Sequence, residues 1–215
     1  MSVGPVTLGA LLLIVGGYAA GSMPWGYWMV RVFRHDDIRK HGSGNTGATN
    51  VWRTFGPRLG LPTLLLDIGK GAVPALLGRY WLDDDTIAVI AGAAAVVGHT
   101  FPILLGLGGG KGVATATGVT FALAPYCGLV GAVGFVTVLW LFRYVSLASL
   151  TAAGTALATC LILQLSWPVI AFSTFAAVMV LIRHRTNLGR VLHGTEPRVT
   201  SFGRGRDPSG ATNAS

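Results

Sequence analysis

Long apolar runs alternate along the chain with short polar breaks, and the breaks delimit the predicted elements. A helix needs about 20 apolar residues to cross a hydrocarbon core of about 30 Å. By that measure the first span runs from Val3 to Val32, interrupted within "AGSMPWGYW", and the next two run from Leu59 to Trp81 and from Thr86 to Leu107. The run from Gly112 to Phe142 is too long for one crossing, and Pro125 divides it into a short arm and a fuller span. The run from Ser146 to Ile182 splits at "QLSWP", with Pro168 marking the turn. The pattern predicts an all-α polytopic membrane helix bundle of about seven transmembrane helices, in one domain over residues 1–200. From residue 201 the chain turns polar and glycine-rich, which predicts a flexible tail over 201–215. The short arm from Gly112 reaches about 20 Å at 1.5 Å per residue. That is less than the core thickness, so the glycine-rich segment before it is expected to dip inward, where irregular backbone survives only inside protein or along a wet cavity.

Composition agrees with a membrane protein: 52% of the residues are hydrophobic and 11% charged, with a mean hydropathy of +0.61, against roughly 25% charged residues in soluble domains. The charges also orient the bundle. Arg31, Arg34, Arg39, Lys40, Arg53 and Arg58 fall in the first connection, Lys111 in the third and Arg143 in the fifth, while Arg183, Arg185 and Arg190 follow the last span. Asp83, Asp84 and Asp85 fill the second connection. With seven crossings all the basic segments share one side, which predicts the N-terminus outside and the C-terminus in the cytoplasm. The net charge of +8 therefore suits a membrane surface and anionic substrates, not nucleic acid. The N-terminus does not read as a cleavable signal. Cys127 and Cys160 lie inside apolar runs as packing residues, and no metal spacing is present.

Three polar clusters map to the basic side. The first, "KHGSGNTGATNVWRTFG", holds Ser43, Asn45, Thr49, Asn50 and Arg53, with Ser43 and Asn45 as helix-cap candidates. The second, "GHTFPILLGLGGGKGVAT", holds His99, Gly108, Gly109, Gly110, Lys111 and Gly112. Consecutive glycines can point backbone amides into a concavity for phosphate oxygens, which a following helix start and Lys111 would reinforce. A nucleotide-binding P-loop is excluded, because Gly112 follows the lysine and Leu105 stands where the first glycine is required. The third cluster, "RHRTNLGRVLHGTEP", holds Arg183, His184, Arg185, Asn187, Arg190 and Glu196. Arginine offers a planar fork matched to phosphate.

Asp67 and Lys70 stand three apart within an apolar run. Ionisable groups in such runs pair or serve function, so an ion pair and a cavity wall are both open. His99 reads either as a base or ligand, or as a histidine satisfied by a carbonyl. No histidine has an Asp four residues on, and no "GxSxG" elbow occurs, so a covalent serine mechanism finds no support. A carrier for phosphorylated solutes and a purely structural membrane subunit remain as alternatives on the residues alone.

The three clusters, in this order and spacing, together with "GSMPWGY" and "RYVSLAS", closely resemble the motifs of the bacterial acyl-phosphate-dependent glycerol-3-phosphate acyltransferases from about Gly21 to Pro197. The resemblance implies a seven-span enzyme of phospholipid synthesis in the bacterial cytoplasmic membrane, with its active site facing the cytoplasm and no cofactor. It implies transfer of a fatty acyl group from acyl phosphate, not acyl-CoA or acyl carrier protein, to glycerol 3-phosphate. The products would be lysophosphatidic acid and phosphate. Membrane lipid is its setting, and the peripheral enzyme that makes acyl phosphate is a candidate partner. Carried over by position, Ser43 and Arg53 match the first motif, Lys111 the second and Asn187 the third; with His99, which the residues alone offer as a base, they are the candidate catalytic residues. Candidate substrate-binding residues are Asn45, Thr49, Asn50, Gly108 to Gly110, Gly112, Ser146, Arg185 and Glu196. Two positions depart from the family pattern: Gly108 and Gly189 stand where basic residues are usual.

Overall fold

Proline positions account for most of the boundaries between helices. The computed structural model of the protein describes residues 5–199, and the tail expected over 201–215 lies outside them. Among the described residues are ten α-helices: α1 (Pro5–Gly21), α2 (Trp25–Arg34), α3 (Ala48–Phe55), α4 (Pro57–Tyr80), α5 (Asp85–Thr100), α6 (Val113–Leu123), α7 (Pro125–Phe142), α8 (Val145–Ile162), α9 (Trp167–Arg183) and α10 (Arg185–Leu192). Pro57, Pro125 and Pro168 each sit in the first turn of a helix, where the missing N–H costs nothing. Pro24 ends the path of α1, and α2 continues at an angle of 42°. The residue before a proline is driven from helical backbone, which makes this break local chemistry.

The third span, expected from Thr86 to Leu107, runs from Asp85 to Leu105, but not as one continuous helix. Helix α5 stops at Thr100, one residue short of the Phe101–Pro102 step, and the apolar run to Leu105 continues only as a 3₁₀ turn over Ile103–Leu105. At its other end Asp84 caps α5 by accepting from the N–H groups of Thr86 at 2.7 Å and Ile87 at 3.0 Å. One carboxylate of the acidic connection therefore has a local task.

Among the described residues four segments are long and apolar enough to cross a membrane, and six if the bent pairs α1/α2 and α9/α10 each count as one. The expected short arm is α6, whose 11 residues span about 16 Å. It packs against α4, α5 and α7. At the contact with α4 a Cβ on Gly71 would lie 2.2 Å from the Thr115 carbonyl oxygen, so these backbones touch as small residues allow in membranes. The apolar core runs through Ala75, Val96, Val119, Cys127, Cys160 and Phe172. Both cysteines are free and buried there. Helices α7 and α8 form an outer hairpin, with Leu129, Val133, Val136 and Trp140 exposed on α7, as a lipid-facing surface requires.

The polar first connection has its own small core. Val30, Ile38, Val51, Phe55 and Leu59 bury against one another, with Tyr27 beside them. This anchors α3 across the ends of α2 and α4 and fixes where the loop before α3 stands.

Candidate active site

The segment from His41 to Gly47 is shaped by asparagine side chains. Asn50 accepts from the Ser43 backbone N–H at 3.0 Å and donates to the carbonyls of His41 at 3.0 Å and Asn45 at 2.9 Å. Asn45 accepts from the Gly47 N–H at 2.8 Å. The expectation that Ser43 or Asn45 caps the helix is therefore corrected: α3 starts from Gly47, with no side-chain cap. Asparagine competes for nearby backbone donors in this way and builds loops. Ser43 and Thr49 are exposed, Arg53 is half-buried on α3, and Asn50 is buried beneath them.

The second cluster also folds differently from the expected amide concavity. The N–H groups of Gly108, Gly109 and Gly110 donate to the carbonyls of Leu105 at 3.3 Å, Thr100 at 3.3 Å and His99 at 3.0 Å. Those carbonyls lie in the turn before the loop and at the end of α5, where helix acceptors go unpaired. The glycines serve contact. A Cβ on Gly110 would lie 1.9 Å from His99 Nε2, and one on Gly109 would lie 2.1 Å from the His99 carbonyl oxygen. Gly112 caps α6 with left-handed backbone, φ 81°. The first-turn amides of α6, directly after Lys111, remain as the local donors for an anion.

Side chains then join the clusters. Asn45 Nδ2 donates to the Gly109 carbonyl at 3.3 Å, tying the first loop to the second. Arg183, at the end of α9, donates to the Gly110 carbonyl at 3.2 Å. Lys111 Nζ hydrogen bonds to Asn187 Oδ1. Asn187 Nδ2 donates to Glu196 Oε1 at 2.6 Å, the same oxygen accepts from Ser146 Oγ at 2.8 Å, and Arg190 Nε donates to Glu196 Oε2 at 2.8 Å. Ser146, Asn187 and Glu196 are all buried. Glu196 arrives on a strap after α10 that is pinned below the α7–α8 turn. Val199 N–H donates to the Arg143 carbonyl at 2.8 Å, and Arg198 Nε donates to the Tyr144 hydroxyl at 2.9 Å.

Charge sets the protonation of this basin. Burial pushes the Lys111 ammonium down to about 8; Glu196 opposes the shift, while Arg190, Arg183 and Arg53 add to it. Burial acts to raise the Glu196 carboxyl, but hydrogen bonds from Asn187, Ser146 and Arg190 outweigh it and hold the group below the usual carboxylate range. Burial likewise lowers Arg53, with Glu196 opposing and Arg190 adding. Arg53, Lys111 and Arg190 thus gather around one internal carboxylate, with Arg183 beside Lys111. This leaves an excess of positive charge suited to a phosphorylated ligand.

Other candidates stand apart. Arg185 is exposed at the start of α10, one residue beyond the turn that carries Arg183 inward. His99 is 7% exposed, with Nδ1 at 3.5 Å from Asp67 Oδ1 and Nε2 against Gly110. Its partner is a carboxylate, not the carbonyl considered from the sequence. Asp67 and Lys70 form an ion pair at 2.9 Å and also line a small cavity with Ser22, Thr46, His99 and the α1–α2 break, so both roles weighed for them are found together. Among the described residues no three His, Cys, Asp or Glu side chains group as metal ligands. Sequence reasoning quoted Arg183 and Arg190 within the third cluster but did not place them at the site. The register of Arg190 on α10, three residues after Asn187, was the available signal; Arg183 ends α9, across the bend, and offered none.

Comparison with known proteins supplies the family. A family model described as glycerol-3-phosphate acyltransferase matches residues 11–194. A glycerol-3-phosphate acyltransferase of Synechococcus sp. (strain CC9902) is 45% identical over 92% of this chain and 98% of its own length. Relatives of the same name from Desulforudis audaxviator and Caulobacter vibrioides are 42% and 44% identical, over 89% and 90% of this chain and 96% and 88% of their own lengths. The fold is similar to a crystal structure of PlsY (YgiH), an integral membrane glycerol 3-phosphate acyltransferase, in its glycerol 3-phosphate form. The TM-score is 0.85 at 36% identity, covering 89% of this chain and 96% of that one. The lysophosphatidic acid form of PlsY matches with a TM-score of 0.83 at 35% identity, over 90% and 96% of the two chains.

Proposed function

The chain belongs to the glycerol-3-phosphate acyltransferase family, and from that premise we propose that its acyl donor is acyl phosphate and that the substrates supply the acid–base chemistry. The observation that carries this reading is the gathering of Arg53, Lys111, Arg183 and Arg190 around Asn187 and Glu196. Two phosphorylated substrates need such a site, and an acyl phosphate brings a good leaving group with it. The structures of the similar PlsY with glycerol 3-phosphate and with lysophosphatidic acid support the acceptor and the product.

Among the described residues no side chain is equipped as a covalent nucleophile. Ser146 Oγ is committed to Glu196, both cysteines are in the apolar core, and among the described residues no hydrogen bond joins Ser43 to a histidine. Direct transfer fits better. The glycerol hydroxyl oxygen forms the new ester bond to the acyl carbon, the bond from that carbon to the phosphate oxygen breaks, and the departing phosphate takes the hydroxyl proton. A phosphate group has a second pKa of about 6, so the departing phosphate can accept that proton near neutrality. The protein contributes alignment, worth up to roughly 7–11 kcal/mol, and donors toward developing negative charge, at about 3–4 kcal/mol each.

In this reading Lys111 and Arg53 hold the two phosphates with Arg183 and Arg190 behind them. Asn187 fixes the Lys111 ammonium, and the exposed Ser43 hydroxyl positions a reacting group at the mouth. The acyl chain lies among the apolar helices. The basin opens on the cytoplasmic side, as the positive-inside rule places basic ends, and Asp83, Asp84 and Asp85 mark the outer side.

Purified protein supplied with glycerol 3-phosphate and, separately, acyl phosphate, acyl-CoA or acyl carrier protein tests the donor. Lysophosphatidic acid is expected with acyl phosphate alone. Formation from acyl-CoA at a comparable rate contradicts it.

A further inference from the structure

We propose that Asp67, Lys70 and His99 form a positioning device that sets the Gly109–Lys111 loop, and with it the Lys111 ammonium, against the break between α1 and α2.

The contacts form one chain. At the break, the Met23 carbonyl accepts from the Trp25 N–H at 3.0 Å and from Lys70 Nζ at 2.8 Å. Lys70 lies 2.9 Å from Asp67 Oδ1, and the same oxygen is 3.5 Å from His99 Nδ1. All three side chains are at most 6% exposed. The imidazole stands directly under Gly110, whose absent Cβ would overlap Nε2 at 1.9 Å. The ring therefore sets how closely the loop approaches α5, and the bonds from Gly109 and Gly110 to the Thr100 and His99 carbonyls hold it there. From the other side Arg183 draws on the Gly110 carbonyl. Lys111 is the next residue.

Stability of the bundle alone does not call for this arrangement. Ionisable groups inside membrane helices are costly, and replacing a buried ion pair with apolar residues of similar size is often neutral or stabilising. What the network adds is a fixed distance between three helices and one loop. It also gives a role to "GSMPWGY" and "DIGKG", two stretches that the phosphate basin leaves unused. His99 acts here through Gly110 and not on the substrate.

The inference rests on glycerol 3-phosphate as the ligand of the basin, so the test carries a second readout that needs no ligand. The Asp67→Leu/Lys70→Met double variant removes the pair without stranding a charge, and His99→Gln removes the ring. Thermal midpoint, glycerol 3-phosphate affinity by calorimetry, and the rate of Lys111 labelling by a small amine-acylating reagent are measured for each. Both variants should fold, with affinity lowered and labelling changed by at least about tenfold, short of the roughly hundredfold that a 1 Å misplacement can cost. Folded variants whose affinity and labelling stay within about twofold of the parent protein, below what any positional shift of that kind produces, overturn the proposal. Failure of both variants to fold assigns the network to stability and also overturns it. A parent protein that binds no glycerol 3-phosphate contradicts the proposed acceptor instead, and Lys111 labelling then decides the positioning role by itself.

Discussion

Lys111 Nζ meets Asn187 Oδ1 across 76 positions of sequence, joining the loop before α6 to helix α10. Asn187 passes the contact on to Glu196, so one amide orients both the principal cation and the internal anion of the basin. An asparagine has both faculties, a carbonyl to accept from the ammonium and an amide to donate to the carboxylate. An aspartate here would set two carboxylates side by side.

The pH profile should carry the signature of Lys111. Its ammonium is pushed down to about 8, and phosphate binding needs the charged form. The free-enzyme parameter kcat/KM for glycerol 3-phosphate should therefore fall as pH rises through about 8, while the acid limb follows the phosphate itself near about 6. Steady-state kinetics from pH 5 to pH 10 checks this. A plateau running unbroken to about pH 10, the ordinary range of lysine, would contradict the lowered Lys111 ammonium.

Gly108 and Gly110 should respond unequally to alanine. At Gly110 the new methyl meets the His99 ring at 1.9 Å, whereas at Gly108 it meets only the Leu105 carbonyl oxygen at 3.6 Å. Gly110→Ala should raise KM for glycerol 3-phosphate by about a hundredfold, the scale of a 1 Å displacement, and Gly108→Ala by no more than about threefold. Kinetics on the two purified variants decides it. Equal losses would return the loop to a phosphate-binding role through its own amides.

Glu196→Ala should cost stability as well as activity. The carboxylate accepts from Ser146, Asn187 and Arg190, and its removal leaves the buried Ser146 and Asn187 donors unpaired at about 1–3 kcal/mol. Differential scanning calorimetry in detergent should show a lower midpoint. The Glu196 carboxyl is also held below its ordinary range. The stabilisation from its ionised form is thus complete above the unfolded pKa and is lost as pH falls through the lower folded value. Parent protein and Glu196→Ala should therefore converge in midpoint toward low pH. A constant difference down to about pH 2, well under the usual carboxylate pKa of about 4.3, would argue against an ionised Glu196.

Much of the fold was legible because proline and charge punctuate it. Pro24, Pro125 and Pro168 break or start helices where local backbone chemistry alone predicts. The three polar clusters were legible through their contrast with apolar neighbours, and Lys111, Asn187, Ser146 and Glu196 do converge. Legibility ended where partners are distant. The amides of Gly108 to Gly110 look free in sequence, yet the turn at Leu105 and the end of α5 take them. Ser43 and Asn45 look like caps, yet Asn50 and Gly47 settle that turn. Arg183 and Arg185 look equivalent, and only the turn from α9 into α10 sends one to Gly110 and the other outward. Such choices depend on which acceptor arrives in space, and composition carries no record of that.

That stretches far apart in sequence form one phosphate-gripping unit is tested most directly by a double-mutant cycle between Lys111 and Asn187 on kcat/KM. If the amide acts by placing the ammonium, Lys111→Ala should lower kcat/KM by about 10²–10³. The Lys111→Ala/Asn187→Ala double variant should then fall little further, since residues acting as a unit are far from additive. Losses that multiply, as they do for independent positions, would mean that the two residues serve separate sites and would contradict the shared basin.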